Sequence, residues 1–197
     1  MKLPESKYFN YKNFVVSDKS IIKNLIIAYQ TWGKLNQEKD NAILICHGYT
    51  NHHHALDKDI GWFNNLMGAG KALDTNKYFV VCANYLGGCY GSTGPNSKNS
   101  TTGDIYGYDF PHISFKDIEE SQKLLLDHIG VTHLEAVIGP SIGGLMALEF
   151  CTLYPDFVNK LISISSGYKL STLQLLHNLE QGYILDLGKD SRNRQNE

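Results

Sequence analysis

Apolar residues in this chain come in short, nearly continuous runs separated by polar, glycine-rich stretches. Ala42–Cys46, Tyr78–Ala83 and Ala136–Ile138 are short and almost uniformly apolar, which predicts strands buried on both faces. Ile21–Trp32 is rich in β-branched and aromatic residues and reads as a further strand, and Lys160–Ser165 alternates like another. Ser114-Phe115-Lys116-Asp117 has the form of a capping box with aspartate in the acidic position. It opens a helix to His128 whose buried face draws on Ile118, Leu124, Leu125 and Ile129, and Gly130 stops it. A second helix runs from Gly144 to Tyr154 and ends at Pro155. A third starts at Ser171, with Leu173, Leu175, Leu176 and Leu179 as its apolar surface. Trp62–Leu73 predicts a short helix broken at Gly68-Ala69-Gly70, and Gly33–Asn41 a polar turn. Residues 1–20 are polar and aromatic and suggest no function, and the charged end Lys189–Glu197 is expected to fray.

Strands alternating with helices predict an α/β domain over residues 1–197, built on a mostly parallel sheet with flanking helices. Right-handed crossovers put the strand ends on one edge, so the loops after Cys46, Ala83 and Gly139 are expected to converge. The third of those junctions is Gly139-Pro140-Ser141-Ile142-Gly143, a G-x-S-x-G between strand and helix. Two readings of it stay open: an ordinary glycine-rich turn, or a tight turn holding Ser141 above the sheet as a nucleophile. The strand-to-helix context and the converging loops favour the nucleophile. The second loop, from Asn84 to Pro111, is long for a connection inside a compact domain, which marks it as functional or disordered.

Composition narrows the class. The chain has 197 residues, 42% of them hydrophobic and 19% charged, which suits a soluble globular domain. A formal net charge of −2 offers no electrostatic case for nucleic acid or an anionic membrane as partner. The first residues lack the apolar segment of a secretory signal, and no run is long enough for a membrane span, so the expected location is the cytoplasm.

Other candidate chemistry is weaker. Cys46, Cys82, Cys89 and Cys151 have no close metal-ligand spacing and are expected to be buried free thiols. Adjacent His52, His53 and His54 cannot all face one metal from a regular element, so they are expected in a polar loop near the mouth of the site, and no metal is expected. His128 and His133 flank a helix stop and read as surface or capping residues. The glycines after Asn84 are not followed by Gly-Lys-Ser/Thr, so they do not form a phosphate-binding loop.

The loops carry a specific resemblance. His47-Gly48-Tyr49-Thr50, Gly61-Trp62, the run from Asn84 to Pro95 (N-Y-L-G-G-C-Y-G-S-T-G-P), Tyr106–Pro111 and the G-x-S-x-G resemble the homoserine O-acetyltransferase family over roughly residues 20 to 180. The resemblance implies an α/β-hydrolase-like fold and acyl transfer from an acyl-CoA, acetyl-CoA being the expected co-substrate, to the hydroxyl of homoserine in methionine biosynthesis. No bound cofactor is implied. Ser141 would be the nucleophile, carrying the acyl group between the two half-reactions. The backbone N–H groups of Tyr49 and Ile142 would form the oxyanion hole.

Three positions depart from the family. Pro140 replaces the second glycine of the family's elbow. Gly182 stands where the family has an arginine for the substrate carboxylate, so the bidentate clamp is missing. The triad order of this fold is Ser, Asp/Glu, His. The acids after Tyr168 are Glu180, Asp186, Asp190 and Glu197, and the one histidine after Ser141, His177, precedes Asp186 on the expected third helix, so it is not the expected base. The chain thus resembles the N-terminal portion of the family, C-terminally truncated, with residues 168–197 as the start of a lid or linker. A homodimer or a complementing C-terminal chain are the macromolecular partners this allows. Serine esterase of the same fold and a non-catalytic remnant or binding module are the alternatives.

Overall fold

The structure, a computed structural model, describes residues 5–169 and 171–194. Glu197 therefore lies outside the described residues. The chain divides into two compact units, Met1–Ser166 and Gly167–Glu197.

The first unit is built on one six-stranded sheet. Its strands in chain order are β1 (Lys7–Val15), β2 (Ile21–Trp32), β3 (Ala42–Ile45), β4 (Phe79–Ala83), β5 (Leu134–Pro140) and β6 (Leu161–Ile164). They lie in the order β1-β2-β4-β3-β5-β6. The β4-β3-β5-β6 portion is parallel, and the β1-β2 ribbon joins it antiparallel through β4. The mostly parallel α/β architecture expected from the sequence is present.

The buried strands show why their sequences carry no polar alternation. In β3 and β4, Leu44, Val81 and Ala83 point into one apolar cluster, and Ile43, Ile45, Val80 and Cys82 into another on the opposite face. The first cluster is closed by α1 (Phe115–His128) through Leu125 and Leu126, and by α2 (Ile142–Leu153) through Met146, Ala147 and Phe150. The second is covered by Phe63, Met67 and Leu73. The capping box forms in both halves, and Asp117 Oδ1 also accepts from the Ser17 N–H and hydroxyl at 2.8 and 2.7 Å. One carboxylate therefore starts α1 and ties the β1-β2 turn to it.

Two expectations are corrected, and a strand appears where none was assigned. Trp62–Leu73 is a series of turns, not a helix, because Gly68 and Gly70 take φ values of +137° and +72°. Those left-handed turns fold Leu73 back to bridge Met67. Residues 1–20 hold a strand, β1, that the pattern hid. Asn24, which falls between the Tyr11–Leu25 and Asn13–Lys23 pairs of the ladder, has φ +55° and swivels the ribbon. Burial in β2 accordingly changes parity, from Ile22 before that point to Leu25 and Ile27 after it. The charged end from Lys189 to Arg194, expected to fray, continues α3 (Thr172–Arg194).

Helix α3 makes up most of the second unit and exposes Leu173, Leu175, Leu176 and Leu179, as well as Tyr183, Ile184, Leu185 and Leu187. In the first unit, β6 pairs among the described residues with β5 alone, and Leu161 and Ile162 on it are 39% and 42% exposed. No helix among the described residues is long and apolar enough to cross a membrane.

Candidate active site

The site begins with how β5 turns into α2. Ser141 caps the helix with φ +54° and ψ −125°, a conformation costly for any residue with a side chain. Its N–H donates to the Ile164 carbonyl at 2.9 Å, and its carbonyl accepts from the Gly144 N–H at 2.9 Å and from the Ser166 hydroxyl. The backbone is thus held on both sides while the residue stays exposed. Pro140 closes β5, and the bond to Ile164 is made by the next residue, so the proline costs the ladder nothing there.

The glycines of the turn are required by contact. A Cβ on Gly139 would meet the Gly143 carbonyl, and one on Gly143 would meet the carbonyls of Cys46 and His47. On Gly144 it would strike the hydroxyls of Ser163 and Ser166. The turn therefore sits directly on the end of β3. This close approach is what brings the three strand-end loops together.

They meet around a cavity of about 490 Å³. The loop after β3 contributes His47 and Tyr49, the loop after β4 contributes Tyr85 and Leu86, and α2 contributes Ile142 and Met146. Tyr49 and Ile142, expected from distant parts of the sequence, both line this cavity. The Tyr49 N–H donates to no protein group among the described residues. Ile142, at the first position of α2, has no acceptor one turn back in its helix. Ser141 precedes Ile142 at the rim and is not part of the lining.

The cavity wall also includes His47 and Tyr85, to which the motifs assign no role. His47 is buried; its ring stacks on Tyr85 at 4.0 Å, and the Tyr85 hydroxyl donates to the His47 carbonyl at 2.7 Å. His47 Nδ1 lies 2.8 Å from the Gly48 carbonyl, which can only accept, so Nδ1 carries the proton and Nε2 a lone pair. Burial lowers the His47 pKa to about 4, so the ring is neutral at pH 7. A histidine followed by glycine at the end of a buried strand was the available signal.

The Asn84–Pro111 loop is ordered through β2. Thr93 and Ser92 hydroxyls accept from the N–H groups of Ile26 and Ala28 at 2.8 and 3.0 Å, and the Thr93 N–H donates to the Ile26 carbonyl. These bonds extend the sheet beyond the end of β4 and fix the loop that walls the cavity.

The remaining candidates fall elsewhere. Among the described residues, no histidine or carboxylate hydrogen-bonds the Ser141 hydroxyl. His177 lies on α3, 3.8 Å from Glu180 and exposed, and Gly182 is within the same helix. His128 packs on the Phe9 ring at 4.9 Å. The cysteines are free, but only Cys46 and Cys82 are buried; Cys89, expected inside, is exposed in the loop wall, and Cys151 is half-buried. His52, His53 and His54 lie in the loop after β3, as expected, and His53 and His54 are buried there where they pack on one another and on Ser6. No group of three or more His, Cys, Asp or Glu among the described residues could hold a metal ion.

Comparison with known proteins places this architecture. A family profile for the α/β hydrolase fold matches residues 41–194, which is most of the chain. The chain belongs to the α/β-hydrolase fold family. Within it, the chain is 46% identical over 187 residues to a homoserine O-acetyltransferase of Methanohalobium evestigatum, covering 91% of this chain and 38% of that protein. Among solved structures it is similar to homoserine O-acetyltransferase from Bacillus anthracis (34% identity, TM-score 0.81), covering 88% of this chain and 49% of that one. It is also similar to esterase E22 (32% identity, TM-score 0.80), covering 86% of this chain and 49% of that one. The resemblance to homoserine O-acetyltransferases expected from the loop motifs is borne out. The chain spans half or less of the length of these relatives.

Proposed function

We propose that this α/β-hydrolase-fold chain carries the nucleophile and oxyanion hole of a serine O-acyltransferase resembling homoserine O-acetyltransferase. The observation that carries the reading is Ser141: exposed and strained at the head of α2, beside a cavity lined by Tyr49, whose N–H has no protein acceptor among the described residues, and by Ile142. The Ser141 hydroxyl oxygen attacks the thioester carbonyl of an acyl-CoA, acetyl-CoA in the simplest case. The carbonyl oxygen takes the negative charge and is held by the Tyr49 and Ile142 N–H groups. Collapse of this intermediate forms the ester and breaks the carbon–sulfur bond, with CoA leaving as the thiol. The acceptor hydroxyl, of homoserine or a similar molecule, then attacks the ester and restores Ser141.

Each half-reaction needs a base for the attacking hydroxyl, and no described residue occupies that position. The base is proposed to come from the region matching the rest of the relatives' length, supplied by another segment or chain, and this chain by itself does not turn over. Because esterase E22 superposes as well as the acetyltransferase, water is the competing second nucleophile.

The test supplies the C-terminal part of the Methanohalobium evestigatum relative as a separate polypeptide, with radiolabelled acetyl-CoA. Label is expected on Ser141 and absent in Ser141→Ala. Label retained in Ser141→Ala, or none when the intact relative labels under the same conditions, overturns the reading. Chasing the labelled protein with homoserine distinguishes transfer, which yields O-acetylhomoserine, from hydrolysis, which yields acetate.

A further inference from the structure

Strands β5 and β6 end side by side, and each runs out onto a serine with a left-handed backbone. Pro140 pairs with Ile164 in the parallel register, so Ser141 and Ser165 are the next residues on the two strands. Their φ values are +54° and +51°, a region costly for any residue with a side chain. The turn at Ser141 opens α2. The turn at Ser165 ends β6 and brings the Ser166 hydroxyl to the Ser141 carbonyl, with the Ile164 carbonyl 3.2 Å away.

The end of β6 therefore grips Ser141 on both sides. The Ser141 N–H donates to the Ile164 carbonyl at 2.9 Å, and the Ser141 carbonyl accepts from the Ser166 hydroxyl. Rotation about φ carries the N–H away and rotation about ψ carries the carbonyl away, so the two bonds together fix where the Ser141 side chain stands. The other donor to that carbonyl, the Gly144 N–H at 2.9 Å, belongs to α2 and moves with the turn. Ser163 supplies a contrast. Its hydroxyl crowds the same Gly144 as that of Ser166 does, but it hydrogen-bonds no group among the described residues.

We infer that Ser166 is a positioning residue for the nucleophile. Its hydroxyl holds the Ser141 backbone in the strained turn and so aims the Ser141 hydroxyl, without touching a reacting atom. Its effect on rate rests on the acyl-transfer reading; its hold on the backbone does not.

The experiment makes two measurements on the whole chain and on Ser166→Ala, Ser166→Cys and Ser163→Ala, each checked by its amide spectrum for an intact fold. The first is the carbon-13 resonance of the Ser141 carbonyl, which loses its hydrogen-bond deshielding when a donor is removed. It should move upfield in Ser166→Ala, less in Ser166→Cys, whose thiol is a weak donor of nearly the same shape, and stay in place in Ser163→Ala. The second is the rate of Ser141 labelling against acetyl-CoA concentration, with the relative's C-terminal polypeptide supplied. Ser166→Ala should lower the saturating rate by about threefold to tenfold and leave the half-saturating concentration unchanged, since the donor's binding is not touched. Ser163→Ala should label as the parent does. An unlabelled parent sinks the acyl-transfer reading, and the carbonyl resonance then decides the clamp alone. An unmoved Ser141 carbonyl in Ser166→Ala, or equal changes in Ser163→Ala and Ser166→Ala, overturns the inference, as does a labelled parent matched in rate by Ser166→Ala.

Discussion

Gly143 of the elbow lies against His47 at the end of β3, so close that a Cβ on the glycine would stand 2.7 Å from the His47 carbonyl oxygen and closer still to that of Cys46. Both obstacles are backbone, and neither can swing aside. Gly143→Ala must therefore push α2 away from β3, and the head of α2 at Ile142 would move with it. The expected cost is about 1–3 kcal/mol of stability, with loss of acyl labelling at Ser141. Urea denaturation and the labelling assay read the two effects. A variant as stable and as readily labelled as the parent would show that the contact is not constraining.

Strain at Ser141 makes a prediction of opposite sign. With φ +54° and ψ −125°, a serine there is costly, and glycine is not. Ser141→Gly gives up some backbone entropy but relieves the turn, so a net gain of roughly 0.5–2 kcal/mol is expected, while labelling is abolished. Ser141→Ala keeps the Cβ and should lack that gain. The difference between these two variants in denaturation midpoint isolates backbone strain from loss of the hydroxyl. Equal midpoints would mean that the turn stores none.

Much of this architecture was legible because buried parallel strands announce themselves. Ile43, Leu44 and Ile45 leave no choice of face, and the Ser114–Asp117 box and Gly130 bracket α1 by local chemistry alone. The failures have local causes too. Apolar spacing over Trp62–Leu73 mimics a helix, and only the left-handed glycines turn it into a loop. In β1 the swivel at Asn24 of its partner breaks the period-two signal, so this strand was not assigned although β2 was. At the site, the motif named Ser141 and the family resemblance named Tyr49 and Ile142, of which the last two line one cavity. The stacked His47 and Tyr85 depend on contacts across the sheet that neither residue's neighbours in sequence reveal.

Glu119 offers a pH-dependent test inside the first apolar cluster. It is fully buried on α1, with Oε2 accepting from Gln122 at 2.8 Å and Oε1 without a partner among the described residues. Burial raises its pKa well above the usual 4.5, so the folded chain holds this proton more tightly than the unfolded chain does. Its contribution to stability is complete below 4.5 and is lost as pH rises toward the folded value. Glu119→Gln removes that dependence. The variant should gain on the parent between pH 5 and pH 8, measured as a rising difference in urea midpoint; a constant difference would place a charged carboxylate in the core.

His47 acts in the opposite direction over the neighbouring range. Its pKa falls from 6.5 to about 4 on burial, so acid protonates the unfolded chain first. Stability from this residue is present above pH 6.5 and is lost as pH falls through that value toward 4, by up to roughly 3 kcal/mol. His53 shifts the same way, also to about 4, and adds to the loss. His47→Gln lacks the titrating group, and its stability should fall less steeply between pH 6.5 and 4.5 even if it starts lower through loss of the Tyr85 stack. Parallel stability curves for parent and variant across that interval would mean that His47 is not held neutral, and with it the lone pair assigned to Nε2 on the cavity wall.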